Sequence, residues 1–153
     1  MKILFLGDIV GDSGCGSIKQ NLPKIIKDNA IDFVVANGEN AATEGVGITE
    51  NIVIELVSSG VDVITSGNHV WDQKETYDFI SKQNRLLRPL NLSNDSPGKG
   101  FEVYKSQKGF KIGVLNLMGN IFMKKCNDAF IAAKNFLENN KLKDQYDFLI
   151  VDF

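Results

Sequence analysis

Short apolar runs alternate along the chain with longer segments whose apolar residues recur every three or four positions, and this predicts strands and helices in turn. Residues 2–6 form a β-rich run followed by a Gly- and Asp-rich loop. Ile18, Leu22, Ile25 and Ile26 then place a helix over 17–29, where Pro23 is tolerable only in an early turn. A buried strand follows at 32–36, and a second glycine-rich loop runs from Gly38 to Gly47. Thr49 reads as the N-cap of a helix carrying Ile52, Val53, Leu56 and Val57 and closed by Gly60. A third strand at 61–65 leads into Ser66-Gly67-Asn68-His69, and 73–82 reads as helical. From Arg88-Pro89 to Gly100 the pattern is irregular. Strands at Phe101–Lys105 and 111–117 flank the turn residues Lys108-Gly109, a helix covers 127–139, and 148–151 is a last buried strand. Strands alternating with helices argue for an α/β fold with parallel strands.

Composition narrows the class. At 153 residues the chain is long enough for one domain with a buried core and short for two, so one domain is expected over 1–153. The apolar share of 43% and charged share of 24% are those of a soluble globular protein. A net charge of −2 argues against nucleic-acid binding by bulk electrostatics, and Lys124-Lys125 is too short a basic run to alter that. No stretch has the length of a membrane span, and the first apolar run reaches Asp8 too soon for a signal peptide. Cys15 and Cys126 are far apart and have no zinc-type spacing, so they are expected as reduced thiols of a cytoplasmic protein.

The chemistry lies at the strand ends. Strand one runs into Gly7-Asp8, strand two into Asn37-Gly38-Glu39-Asn40, and strand three into Gly67-Asn68-His69. In a parallel sheet these loops lie side by side at one rim, where sites of such folds are built. A Gly before each polar residue is expected to let the backbone turn sharply. Asp8, Glu39, Asn40, Asn68 and His69 supply carboxylate and amide oxygens and one imidazole, a set suited to hard or borderline divalent metals. Singly, each has a commonplace structural reading, such as turn former, cap or packed ring. Together at three successive strand ends they indicate a site.

Gly7-Asp8-Ile9-Val10-Gly11, Asn37-Gly38-Glu39-Asn40-Ala41-Ala42, Gly45-Val46-Gly47-Ile48-Thr49 and Ser66-Gly67-Asn68-His69-Val70-Trp71-Asp72 resemble the calcineurin-like metallophosphoesterase superfamily. Within it they are similar to the bacterial branch of YmdB-type 2′,3′-cyclic nucleotide phosphodiesterases. The resemblance covers essentially the whole chain, including Arg88-Pro89-Leu90-Asn91 and Pro97-Gly98-Lys99-Gly100. It implies a layered α/β/β/α sandwich and two divalent metal ions, Fe or Mn foremost, with Mg or Zn as alternatives. It further implies that Asp8 binds the first metal, Glu39 bridges both, Asn40 completes the first sphere or contacts phosphate, and Asn68 binds the second. His69 is implied as the catalytic group beside the scissile phosphate. The implied reaction is attack of a metal-held hydroxide on a small phosphodiester, with no membrane partner and with a homo-oligomer as one possible state.

The same resemblance calls for further histidines downstream, whereas His69 is the sole histidine of the chain. The strand that ends in Asp152-Phe153 therefore reads as cut, with carboxyl-terminal strands of the sandwich missing and the activity of this short form in question. An alternative from another class is a non-catalytic nucleotide- or phosphate-binding or interaction module with a degenerate metal site. A doubly wound nucleotide-binding domain is disfavoured, because Gly7-Asp8-Ile9-Val10-Gly11-Asp12 is not a Gly-x-Gly-x-x-Gly run. Among other residues, Trp71 is expected to pack its loop, Asp72 to cap the next helix, and Arg85 and Arg88 to be solvated. Phe122 and Met123 are placed at the site rim or a subunit contact, and Gly45-Val46-Gly47 is a candidate to approach substrate.

Overall fold

The computed structural model describes residues 1–123 and 126–153; Lys124 and Lys125, the basic pair noted above, lie outside the described residues. Two three-stranded sheets stack face to face. The first is wholly parallel in the order β1 (Ile3–Leu6), β2 (Phe33–Asn37), β3 (Val63–Thr65). The second runs β4 (Phe101–Lys105), β5 (Lys111–Asn116), β6 (Phe148–Asp152), with β4 antiparallel and β6 parallel to β5. The expected parallel pairing is found for β1–β2, β2–β3 and β5–β6, and β4–β5 is antiparallel. Gly109, at φ +84°, turns the chain back within a few residues, and so short a link can join only antiparallel neighbours.

The strand alternation sorts side chains into three apolar layers. Phe33, Val35 and Val63 meet Leu87, Tyr104, Ile112 and Val114 between the sheets. Val34, Ala36 and Ile64 face outward against Leu22 of α1 (Gly11–Asn29) and Val53 and Leu56 of α2 (Glu50–Ser58). On the far side Leu115, Leu117 and Tyr146 pack against Phe136 of α4 (Ala129–Asn139). The result is the α/β/β/α sandwich. β1 and β6 are edge strands, and their inward-facing Ile3, Phe5 and Phe148 remain exposed.

Several local expectations need correction. α1 begins at Gly11, six residues before the predicted start, which places Pro23 well inside the helix. The glycines at 11, 14 and 16 mask this turn in the sequence. It is anchored by tertiary bonds: Gly11 N–H donates to Asn40 O at 2.9 Å, and Cβ space at Gly14 is closed by Ile9. The predicted helix over 73–82 contracts to α3 (Thr76–Phe79) and a 3₁₀ turn, Ile80–Lys82, and the Thr76 hydroxyl donates to Ile48 O at 2.7 Å. Thr49 caps α2 as expected, its Oγ1 accepting from Ile52 N–H at 3.3 Å.

Arg88 is buried rather than solvated. Its guanidinium donates to the carbonyls of Pro89 (2.8 Å), Pro97 (3.1 Å) and Ser96 (3.2 Å), cross-linking the irregular segment. Arg85 donates to Asp62 O and lies over the Tyr104 ring, so neither arginine belongs to the strand-end loops. Both cysteines are free. Burial pushes the Cys15 thiol up, Glu55 and Asp12 add to this, and its Sγ donates to Ala41 O. A raised thiol is protonated at neutral pH and is a poor nucleophile. Iodoacetamide labelling of the native protein followed by mass spectrometry should therefore modify partly exposed Cys126 first, with Cys15 reacting only on unfolding. No described helix is long and apolar enough to cross a membrane.

Candidate active site

The loops after β1, β2 and β3 meet at one rim because parallel neighbours place their carboxyl ends together. Backbone bonds knit the three loops: Ile9 N–H to Asn37 O (3.0 Å), Gly11 N–H to Asn40 O (2.9 Å) and Gly38 N–H to Thr65 O (3.0 Å). Asn40 Nδ2 grips both carboxylate oxygens of Asp8, at 3.0 and 3.1 Å, so this amide orients the exposed acid. Asn40 Oδ1 points the other way, buried and without a hydrogen-bond partner among the described residues, and Glu39 Oε2 is in the same condition. Two buried, unpartnered oxygens on adjacent residues are costly unless a donor or a cation completes them.

The glycines work differently from the sequence expectation. None of Gly7, Gly38 and Gly67 has a positive φ, so none is needed for a left-handed turn. Gly67 is needed for space: a Cβ there would overlap the Glu39 carboxylate, with Glu39 Cδ only 2.6 Å away. Gly38 is hemmed in by Ile64 and Ile48, while nothing lies within 4 Å of a Cβ at Gly7. Burial pushes the Glu39 carboxyl above its usual range; the Asp8 charge adds to this, His69 opposes it, and Asp152 contributes a smaller rise. A carboxylate desolvated beside a second acid is what a divalent cation stabilises.

Glu39, Gly67 and Asn68 share a cavity of about 210 Å³ with Met118, Met123 and Asp152. Met123 thus reaches the rim, while Phe122 is fully exposed outside it. His69 Nδ1 lies 2.6 Å from Asp72 Oδ2, and a carboxylate acceptor makes Nδ1 the donor and leaves Nε2 as the free nitrogen for exchange. Asp72 therefore orients His69. Trp71 packs as expected, its ring 5.4 Å from that of Tyr77. The Gly45–Gly47 loop serves as a buttress: Gly45 N–H is already given to Ala42 O, Val46 O accepts from Gln73 Nε2 at 2.9 Å, and Gly47 (φ +79°) lies against Gln73 and the His69 carbonyl.

The structure thus brings Asp8 and Asn40 into contact, stacks Glu39 on Gly67, and sets Asn68 and His69 on the adjoining turn. Among the described residues no three His, Cys, Asp or Glu side chains converge closely enough to hold a metal ion. The asparagine oxygens are accordingly part of any donor set. Asp152 is a neighbour the motifs missed: it lines the Glu39 cavity from the second sheet. The signal available for it was an acid closing an apolar strand, the same signal that marks Asp8.

The family model described as "YmdB-like protein" matches residues 4–153. The 2′,3′-cyclic-nucleotide 2′-phosphodiesterase of Bacillus subtilis is 40% identical over 149 residues, covering 97% of this chain and 56% of that protein. Among solved structures, a protein of Thermus thermophilus superimposes with a TM-score of 0.87 at 37% identity, covering 99% of this chain and 56% of the other. A phosphatase from Mycoplasma pneumoniae gives a TM-score of 0.87 at 32% identity, covering all of this chain and 54% of the other. The chain therefore spans about half the length of the relatives it matches.

Proposed function

The chain belongs to the YmdB-like protein family, and on that premise we propose that it carries the strand-end half of a metal-dependent phosphodiesterase site acting on small phosphodiesters such as 2′,3′-cyclic nucleotides. The observation that carries this reading is the pair of buried oxygens, Glu39 Oε2 and Asn40 Oδ1, without a hydrogen-bond partner among the described residues, at the rim where Asp8, Asn68 and His69 also lie. The donor set is oxygen-rich and fits Mn, Fe or Mg, with Zn less well matched. In the proposal Asp8, Glu39, Asn40 and Asn68 would hold the cations. When bound, such ions withdraw charge from a phosphoryl group and activate water.

The remaining steps belong to the chain's own side chains. Asn40 keeps both Asp8 oxygens turned to the rim. Asp72 holds the His69 ring through Nδ1, so Nε2 is the atom that passes a proton to the leaving oxygen. Met118 and Met123 form an apolar wall that limits water in the cavity.

The test is calorimetric titration with Mn²⁺ alongside hydrolysis of 2′,3′-cyclic AMP. Glu39→Ala is expected to lower Mn²⁺ affinity and turnover together. His69→Ala is expected to keep the affinity and lower turnover by roughly 10²–10⁴-fold. Equal Mn²⁺ affinity in wild type and Glu39→Ala would overturn the assignment. A second reading, the non-catalytic nucleotide- or phosphate-binding module, is favoured by the lack of three converging His, Cys, Asp or Glu side chains among the described residues. Saturable nucleotide binding in EDTA without turnover would support it instead.

A further inference from the structure

Beneath the rim lies a polar layer that the proposed chemistry does not use. At the carboxyl ends of the strands the apolar packing between the sheets gives way to Asn37 of β2, Thr65 and Ser66 at the end of β3, Asn116 of β5 and Asp152 of β6. Thr65, Ser66 and Asn116 are buried, and Asn37 and Asp152 partly so. Asn116 Nδ2 spans the interface to Ser66 O (2.8 Å) and Leu87 O (3.2 Å). Asp152 spans it as well: its Oδ2 accepts from Thr65 Oγ1 at 2.5 Å and from Asn37 Nδ2 at 3.0 Å.

The Asn37 contact has a direction. An asparagine amide has one donor end and one acceptor end. With Nδ2 given to Asp152, Oδ1 must face the opposite way, and there it accepts from Glu39 N–H at 3.2 Å. A carboxylate at 152 accepts only, so it selects this orientation of the amide over its flipped alternative. From the other side Gly67 leaves just enough room for the Glu39 side chain. Glu39 is therefore held from the second sheet through Asn37, as well as by its own loop. Asp152 is also parallel-paired with Asn116, and its carbonyl accepts from Leu117 N–H at 2.8 Å, so the carboxylate sits on a fixed strand.

We propose that Asp152 is a positioning residue that acts through the Asn37 amide to set the Glu39 backbone and carboxylate at the rim. Its consequence for cation binding rests on the function proposed above; its effect on Glu39 does not. The polarity of the relay also makes a reversal possible. In the double variant Asn37→Asp, Asp152→Asn, the amide nitrogen at 152 takes the place of Oδ2 and donates to the carboxylate at 37 and to Thr65 Oγ1, whose own proton goes to Ala36 O, and an oxygen at 37 is left for Glu39 N–H. Asn37→Asp alone places two carboxylates 3.0 Å apart and breaks the relay.

Amide hydrogen exchange by NMR on the whole chain decides the matter, with the Ile112 and Val114 amides of β5 as internal controls. In Asn37→Asp and in Asp152→Ala the Glu39 amide should exchange roughly tenfold faster, as loss of one hydrogen bond implies, while the control amides keep their rates. The double variant should restore Glu39 protection. Mn²⁺ affinity, read in parallel, should fall and recover in the same order. Glu39 protection unchanged in both single variants, or lost and not restored in the double variant, would overturn the proposal. If Asp152→Ala loses its dispersed spectrum, the comparison of Asn37→Asp with the double variant still decides it. Restored Glu39 protection with no Mn²⁺ binding even in wild type would leave the positioning role standing and remove the metal-site reading.

Discussion

Replacing Gly67 with alanine is expected to drive the Glu39 carboxylate out of its seat and to weaken divalent-cation binding by roughly 10–100-fold, the scale seen when a ligand's supporting contacts are lost. The added methyl would take the place of Glu39 Oε2. The group displaced is the end of a flexible side chain, so the fold absorbs the change at about 1–3 kcal/mol while the donor geometry does not survive. Gly7→Ala is the matched control: it adds the same methyl next to Asp8, with no atom within 4 Å to receive it. Mn²⁺ titration of the two variants separates a steric effect at Glu39 from a general effect of stiffening a strand-end loop. Equal affinities would mean that Glu39 does not contribute to cation binding from its present position.

The largest loss of stability is expected from Arg88→Ala. The guanidinium is buried, burial lowers its pKa, and its charge is dispersed over the carbonyls of Pro89, Ser96 and Pro97. Removing it leaves these acceptors facing one another around a void, which costs about 3–5 kcal/mol. The damage extends beyond the loop. The same segment carries Asn91, which is held to Met118 O and Asn127 O and ties down the approaches to the cavity and to α4. Urea denaturation should show the midpoint falling with little change in slope. Arg85→Ala removes an arginine of similar size and one carbonyl bond from an exposed position, and should stay within about 1 kcal/mol of wild type. A small effect at Arg88 would indicate that water replaces the guanidinium at those carbonyls.

The two arginines show where sequence reading reaches its limit. Arg85 and Arg88 stand three residues apart after the predicted helix over 73–82, with nothing local to distinguish their burial. One is exposed and the other buried because the chain from Ser96 to Gly100 folds back over position 88, with Arg88 N–H bonded to Lys99 O. α1 teaches the same lesson at a helix start. Glycines at 11, 14 and 16 are poor helix formers, and the turn they occupy exists because Asn40 and Ile9 receive it. By contrast the β2 and β3 runs and the α2 amphipathic face with its Thr49 cap were legible, since each depends on neighbours within a few residues.

Local pattern and motif were enough to read the alternation of strands and helices, the delivery of Asp8, Glu39, Asn40, Asn68 and His69 to three successive strand ends, and the family to which those motifs belong. Strand and helix periods are local properties, and parallel neighbours necessarily align their carboxyl ends. Three-dimensional packing was needed to learn that β4 pairs antiparallel with β5, that Gly67 supplies volume and not backbone freedom, and that Asp72 orients His69. It alone set Asp152 across the interface from Asn37. Each of these depends on which surface arrives from a distant part of the chain. Residues 37 and 152 are 115 positions apart, and no pattern within either strand records that their side chains share a hydrogen bond.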